Sequence, residues 1–233
     1  SDAKLGIFVP WTPASVPAFA PVDVDIGELV RSGRRDALAF CPYAEWYENS
    51  LQFPESPVAH HHREVYGDRP YTEFAAEWEA GLDQWDPQAW AARFAATGAR
   101  YVVFVTKHMD GYCMWPTDVP NPHRAGWSCR RDVVGELSEA VRGAGMRFGV
   151  YYSGGLDSTF NDRPMGSVSE MLDAIPRGDY PDYAEAQVRE LIARYRPSVL
   201  WNDIAWPTEG RRLWPLFEHY YEQVPDGVVN DRW

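Results

Sequence analysis

The chain has 233 residues, which is enough for one large domain or two small ones with a sizeable core. It carries 22 Lys and Arg against 34 Asp and Glu, a formal charge of −12 at pH 7, and therefore lacks the cations that drive nucleic-acid binding. We therefore do not expect a nucleic-acid-binding protein. No apolar run approaches ~18 residues, so we do not expect a membrane-spanning protein either.

The first part of the chain predicts one strand and one helix. Residues 5–9 read as a strand, and Pro87 follows a helix cap at Asp86. This helix should run to Thr97. Between the two elements, at about 12–85, lies a long insertion that is rich in proline and aromatic residues and shows little periodicity.

The second part of the chain alternates strands and helices. Strands are predicted at 101–106, 147–152, 198–203 and 228–232, and helices at 133–144, 180–195 and 213–222. This alternation predicts an α/β fold with a parallel sheet, which leaves a doubly wound sheet and a (β/α)8 TIM-like barrel open. The strand ends carry polar or aromatic clusters, and no glycine-rich phosphate loop follows the first strand, so we favour the barrel. Only about five βα units are predicted where a closed barrel needs eight, so either the chain is a fragment or the missing wall comes from elsewhere.

Aromatic residues make up 15% of the chain, with 11 Trp and 13 Tyr, and this composition is typical of both packed cores and carbohydrate sites. The odd number of cysteines argues against a disulfide scaffold but leaves one bridge open.

Three consecutive histidines, at 60–62, cannot easily reach one metal ion together, so we expect no metal and no cofactor. A metal-dependent barrel hydrolase is an alternative that rests on this run alone. The sequence contains no signal peptide, and the localisation stays open between cytoplasmic and secreted.

Six motifs in order resemble the α-L-fucosidases of glycoside hydrolase family 29. They are Gly6–Trp11 with Ser15–Ala18, Glu45–Tyr47, Thr106–Tyr112, Phe148–Ser153, Leu200–Asp203 and Val229–Trp233. The resemblance covers essentially all of the chain. It implies a single catalytic domain over residues 1–233, with the insertion after the first strand, that removes terminal α-L-fucose with retention of configuration.

The resemblance aligns Asp203 with the nucleophile of the family. A retaining glycosidase needs a carboxylate that attacks the anomeric carbon, and Asp203 ends an apolar strand. The alternative is an aspartate that only caps the following turn. His108, at the end of the second strand, is expected to bind a sugar hydroxyl, although a packed structural histidine is the alternative.

Further sugar-binding residues follow from the same motifs. Trp46 and Trp11 are expected to contact the sugar, and Tyr151 matches a family tyrosine that faces it. The neighbour Tyr152 points the opposite way, so a one-residue error in register would exchange the two. Arg232 matches a family arginine, with an ion pair to Asp231 as the alternative reading.

The chain departs from the family pattern at two positions. Pro10 stands where the family has a histidine after the first strand, and Met109 stands where it has the second histidine of a pair. The general acid of close relatives lies past the Asn-Asp-Arg-Trp motif with which this sequence ends, and Glu45 is the substitute that we expect. A non-catalytic or degenerate fucose-binding fragment is the alternative function. The expected partner is a fucosylated oligosaccharide or glycoconjugate, and a homo-oligomer is compatible with the sequence.

Overall fold

The computed structural model describes residues 3–208 and 213–233. In this part of the chain a parallel sheet is formed by β1 (Gly6–Val9), β2 (Tyr101–Lys107), β3 (Arg147–Ser153), β4 (Val199–Asp203) and β5 (Val228–Val229). The strand order is β1-β2-β3-β4-β5, so each strand pairs with the one before it. A doubly wound sheet would reverse its order at a switch point, so the sequential order decides for the barrel type of winding. The fold is therefore α/β of the TIM-barrel class.

The described α-helices are α1 (Ile26–Arg31), α2 (Tyr47–Leu51), α3 (Pro57–Tyr66), α4 (Glu73–Gly81), α5 (Pro87–Ala96), α6 (Val133–Gly143), α7 (Val168–Asp173), α8 (Tyr180–Tyr195) and α9 (Leu213–Gln223). Helices α6, α8 and α9 connect successive strands from β2 to β5. Each of them buries an apolar stripe, for example Val188, Leu191 and Ile192 on α8. No helix within the described ranges is both long and apolar enough to cross a bilayer.

The chain forms two compact units. The first comprises Ser1–Pro10, Gln84–Phe160 and Pro176–Trp233, and it contains the whole sheet. The second comprises Trp11–Asp83 and Asn161–Ile175, and it contains α1 to α4 and α7.

The second unit has more helix than the sequence indicates, because its helices are short and depend on packing against one another. At the start of α3, the Ser56 side chain accepts a hydrogen bond from the amide of Ala59, and Pro57 occupies the first position. The helices then close over an aromatic core that has no regular sequence period. Its buried members are Ala14, Tyr47, Val58, Tyr71 and Phe74.

The last strand is shorter than its predicted range of 228–232, because the side chain of Asn230 replaces the strand ladder. Its Oδ1 accepts from the amide of Asn202 at 3.0 Å, and its Nδ2 donates to the carbonyl of Asn202 at 2.8 Å. The segment after Val229 therefore stays attached to β4 without continuing the sheet.

A β-bulge near the end of β2 changes the side of the sheet that its side chains face. Val105 pairs with Tyr151, but Lys107 pairs with Tyr152, so Thr106 is the extra residue. In a regular strand, Lys107 would share the face of Val105. The bulge turns Lys107 to the opposite face and leaves the following residue, His108, on the face of Tyr151.

Candidate active site

Asp203 is the last residue of β4, and both of its carboxylate oxygens accept hydrogen bonds. The Tyr151 hydroxyl donates to Oδ2 at 2.9 Å, and Arg232 Nη1 donates to Oδ1 at 2.5 Å. The amide of Ile204 also donates to Oδ1, at 3.0 Å. The side chain is 18% exposed, so a fixed carboxylate remains reachable from solvent. These are the requirements of a carboxylate nucleophile.

Arg232 forms an ion pair with Asp203, and this contact helps to fix the carboxylate. The hydrogen bond and the negative charge of Asp203 raise the pKa of Arg232 above its usual range. The Arg232 side chain is more than half exposed and carries five N–H donors, of which Nη1 engages Asp203. It can therefore orient the carboxylate and bind a hydroxyl at the same time.

Tyr151, rather than Tyr152, lies on the side of Asp203. The ring of His108 is parallel to that of Tyr151, with a centroid distance of 5.7 Å and an interplanar angle of 10°. Phe8 contacts the Tyr151 ring edge-on at 5.6 Å, within one face of the sheet. Tyr152 is fully buried on the other face, where its hydroxyl donates to Gln187 on α8.

His108 is held in its neutral form. The pKa of His108 is lowered to about 4, chiefly because the ring is buried; the negative charge of Asp203 opposes this shift, and the positive charge of Lys107 adds to it. Its Nδ1 is buried and has no hydrogen-bond partner among the described residues. The residue as a whole is half-buried, so the part of the neutral ring that solvent reaches can bind a hydroxyl group of a ligand.

The backbone after Asp203 forms a left-handed turn. Ile204 has φ of 59° and Ala205 has φ of 64°, a region that a β-branched residue rarely adopts. The turn packs directly on Gly155, whose amide donates to the carbonyl of Asp203 at 3.2 Å. A Cβ at Gly155 would overlap the carbonyl oxygen of Ile204, so glycine is required there by close approach.

Asn202 ties this turn to its neighbours and is fully buried. Its Nδ2 donates to the carbonyls of Ala205 at 2.9 Å and Arg232 at 2.7 Å, and its Oδ1 accepts from the amide of Gly154 at 3.1 Å. One amide side chain thus joins the ends of three chain segments around Asp203. Asn202 lies inside the motif Leu200–Asp203, and a polar residue in an otherwise apolar strand was the sequence signal that could have identified its role.

Four predicted site residues come together in the first unit. They are His108, Tyr151, Asp203 and Arg232.

The other three, Glu45, Trp46 and Trp11, belong to the second unit. Glu45 and Trp46 lie in a short 3-10 turn, Ala44–Trp46, and both are half-buried. Burial raises the pKa of Glu45 above its usual range. The ring of Trp11 packs on that of Trp78 at 4.9 Å.

Two of the three consecutive histidines pack inside the second unit, and His60 is exposed. His62 is buried on α3, where its ring nitrogens form hydrogen bonds with the Tyr47 hydroxyl at 2.9 Å and the Arg69 carbonyl at 2.7 Å. The ring of His61 stacks on Phe19 at 3.8 Å. Within the described residues, no group of three or more His, Cys, Asp or Glu side chains is arranged to hold a metal ion.

A sequence model of the alpha-L-fucosidase family matches residues 1–233. The chain belongs to the alpha-L-fucosidase family. Among curated members, the chain is 28% identical to an alpha-L-fucosidase of Dictyostelium discoideum and 29% identical to the tissue alpha-L-fucosidase of Bos taurus, with all of this chain aligned in both cases. It covers 48% and 45% of those two proteins, so this alpha-L-fucosidase family chain spans about half the length of the curated relatives it matches.

Solved structures of alpha-L-fucosidases are also similar to this chain. The Thermotoga maritima alpha-fucosidase is 44% identical, with a TM-score of 0.87 over 99% of this chain and 52% of that one. The same similarity holds for its complex with fucose. The family thus shares the α/β barrel-type fold found here.

Proposed function

We propose that the protein is a retaining glycoside hydrolase that removes terminal α-L-fucose from fucosylated oligosaccharides or glycoconjugates. The observation that carries the proposal is the Asp203 carboxylate, fixed at a strand end by Tyr151 and Arg232 and still reachable from solvent. Membership of the alpha-L-fucosidase family supports α-L-fucose as the sugar that is removed. In this proposal, residues 1–233 make up one catalytic domain.

The groups around Asp203 support recognition of a small polyol. His108 offers a neutral, half-buried ring, and Arg232 offers N–H donors on a largely exposed side chain. Tyr151 holds one oxygen of Asp203, which leaves the carboxylate in a single orientation for attack. We assign all three to substrate binding.

Glu45 is the second carboxyl group of the proposal. A general acid must keep its proton near neutral pH, and burial moves the pKa of Glu45 in that direction. Trp46 and Trp11 are assigned to the sugar because half-buried indoles can stack on its apolar C–H groups.

The reaction then has two balanced steps. Glu45 donates its proton to the glycosidic oxygen while Asp203 attacks the anomeric carbon, so the aglycone leaves as an alcohol and a fucosyl ester forms on Asp203. The Glu45 carboxylate next takes a proton from water, whose oxygen attacks the same carbon and releases Asp203. Two inversions give net retention.

The test is Asp203→Ala with an aryl α-L-fucoside. Because a nucleophile acts in the transition state, kcat should fall on the order of 10³-fold or more, with a much smaller change in fucose affinity. Azide should restore part of the turnover by entering the space left by the carboxylate, and the product should be a fucosyl azide of inverted configuration. The matched control is Asp231→Ala, an exposed neighbouring carboxylate, which should keep wild-type kcat.

An Asp203→Ala protein with wild-type turnover would overturn the assignment. The second candidate, fucose binding without turnover, is favoured by Met109, whose buried side chain has no N–H group to donate where the family pattern has a histidine. Fucose binding measured by calorimetry, together with no detectable hydrolysis by the wild-type chain, would select this second function.

A further inference from the structure

Directly behind the candidate site lies an ion pair that the mechanism above does not use. Lys107 Nζ donates to Asp157 Oδ2 at 2.7 Å, and both side chains are completely buried. Nζ also donates to the hydroxyl of Tyr180 at 3.3 Å and lies 4.5 Å from the ring centroid of Tyr152. A buried ion pair is a poor source of stability, because desolvation opposes the attraction of the two charges. Its presence calls for another explanation.

The pair joins the last residue of β2 to the loop that follows β3. Asp157 lies in the loop after β3, and its Oδ1 accepts from the amide of Thr159 at 3.0 Å and from the hydroxyl of Thr159 at 2.5 Å. In the same loop, the amide of Ser158 donates to the carbonyl of Met109 at 2.7 Å. Lys107 and Met109 flank His108, so the loop holds the chain on both sides of this residue.

The bulge at Thr106 decides which face of the sheet Lys107 points to. Without the bulge, Lys107 would point to the face that carries Tyr151 and Asp203. The buried carboxylate of Asp157 lies on the opposite face and gives Lys107 a partner there, so that His108 takes the inner position and stacks on Tyr151. We propose that Lys107 and Asp157 are positioning residues whose ion pair selects the bulged register and thereby places His108 beside Asp203. The inference rests on the proposed function insofar as His108 binds substrate.

The test is the double variant Lys107→Met/Asp157→Asn in the 233-residue chain. Neither residue then carries a buried charge, so the folding penalty of the single variants is avoided. NMR of histidine-labelled protein reports the ring signals of His108, which are assigned by His108→Gln and shifted by the ring current of Tyr151. We expect these signals to move toward random-coil values while the thermal transition is retained. kcat for an aryl α-L-fucoside should fall about 100-fold, as for a displaced binding group, and fucose affinity should fall less.

A second variant, Lys107→Gln/Asp157→Asn, keeps a hydrogen bond across the pair and should restore part of the His108 shift and of kcat. The matched control is Glu185→Gln/Arg189→Met, which removes a partly exposed ion pair on α8 and should change neither. Wild-type His108 signals in the folded double variant would overturn the proposal. So would failure of both double variants to fold while the control folds, since the pair would then serve the whole fold. The NMR result does not depend on turnover, so a wild-type chain without fucosidase activity would refute the proposed function and leave the positioning test intact.

Discussion

At the scale of single residues, the neutral state of His108 has a consequence for stability. Its folded pKa is about 4 and its ordinary value is 6.5, so between these values the unfolded chain binds a proton that the folded protein does not. The contribution of His108 is therefore unchanged above about pH 6.5, and stability falls as the pH drops from there to about 4. A shift of this size corresponds to roughly 3 kcal/mol at its limit.

The measurement is urea unfolding at several pH values between 7 and 4. His108→Gln has no group that titrates in this range at position 108, so its stability should fall less steeply than that of wild type. His123→Gln, an exposed histidine, is the control and should follow the wild-type curve. Identical pH dependence in wild type and His108→Gln would contradict the neutral, desolvated state of the ring.

Glu45 leads to a second prediction at the residue scale. If it protonates the leaving oxygen, Glu45→Gln should lower kcat/KM by about 10²–10⁴-fold for fucosides with poorly acidic leaving groups. Substrates whose leaving group departs without a proton should lose much less. Glu45 must carry its proton to act as the acid, so loss of this proton at its raised pKa should cause the fall in rate on the alkaline side of the wild-type pH–rate profile. This fall should vanish in Glu45→Gln. The measurement is a series of aryl fucosides of graded phenol acidity, with Glu48→Gln as control, and an equal loss across the series would reject Glu45 as the acid.

At the scale of elements, the turn after β4 depends on a missing side chain. Gly155→Ala places a Cβ against the carbonyl of Ile204, which is backbone and cannot rotate away. We expect the turn and the adjoining Asp203 to shift, with kcat reduced about 100-fold. The control is Gly143→Ala at the end of α6, where an added Cβ meets nothing within 4 Å. Wild-type kcat in Gly155→Ala would show that the position of the turn does not set that of Asp203.

The regular elements could be predicted wherever one local signal defined them. The stripe of α8 and the caps of α5 gave helices at the predicted positions, because burial and capping act within a few residues. In the second unit, α1 to α4 were missed, since helices of this length are stabilised by tertiary packing rather than by their own periodicity. The end of β5 was missed because a distant partner, Asn202, determines it.

The candidate site was predictable to a similar extent. Strand ends pointed to Asp203 and His108, because side chains at the carboxyl ends of parallel strands converge. Alternation alone could not assign Tyr151 rather than Tyr152, and it would have placed Lys107 on the inner face, because a bulge has no reliable sequence signature. The ion pair of Lys107 with Asp157 joins residues 50 positions apart and could only be found in the structure.

At the scale of the whole molecule, the formal charge of −12 should influence which fucosides reach the site. A negative surface repels anionic ligands, and this repulsion extends about 30 Å at 0.01 M salt but only about 8 Å at 0.15 M. An aryl fucoside with a sulfonate on the ring should therefore have a higher KM than its neutral counterpart at low salt, and the difference should shrink as salt is added. The neutral fucoside is the control, because its KM should hardly depend on salt. Steady-state kinetics over this salt range decides the matter: a sulfonated substrate that binds more tightly at low salt would mean that cationic groups such as Arg232 govern the approach rather than the net charge of the chain.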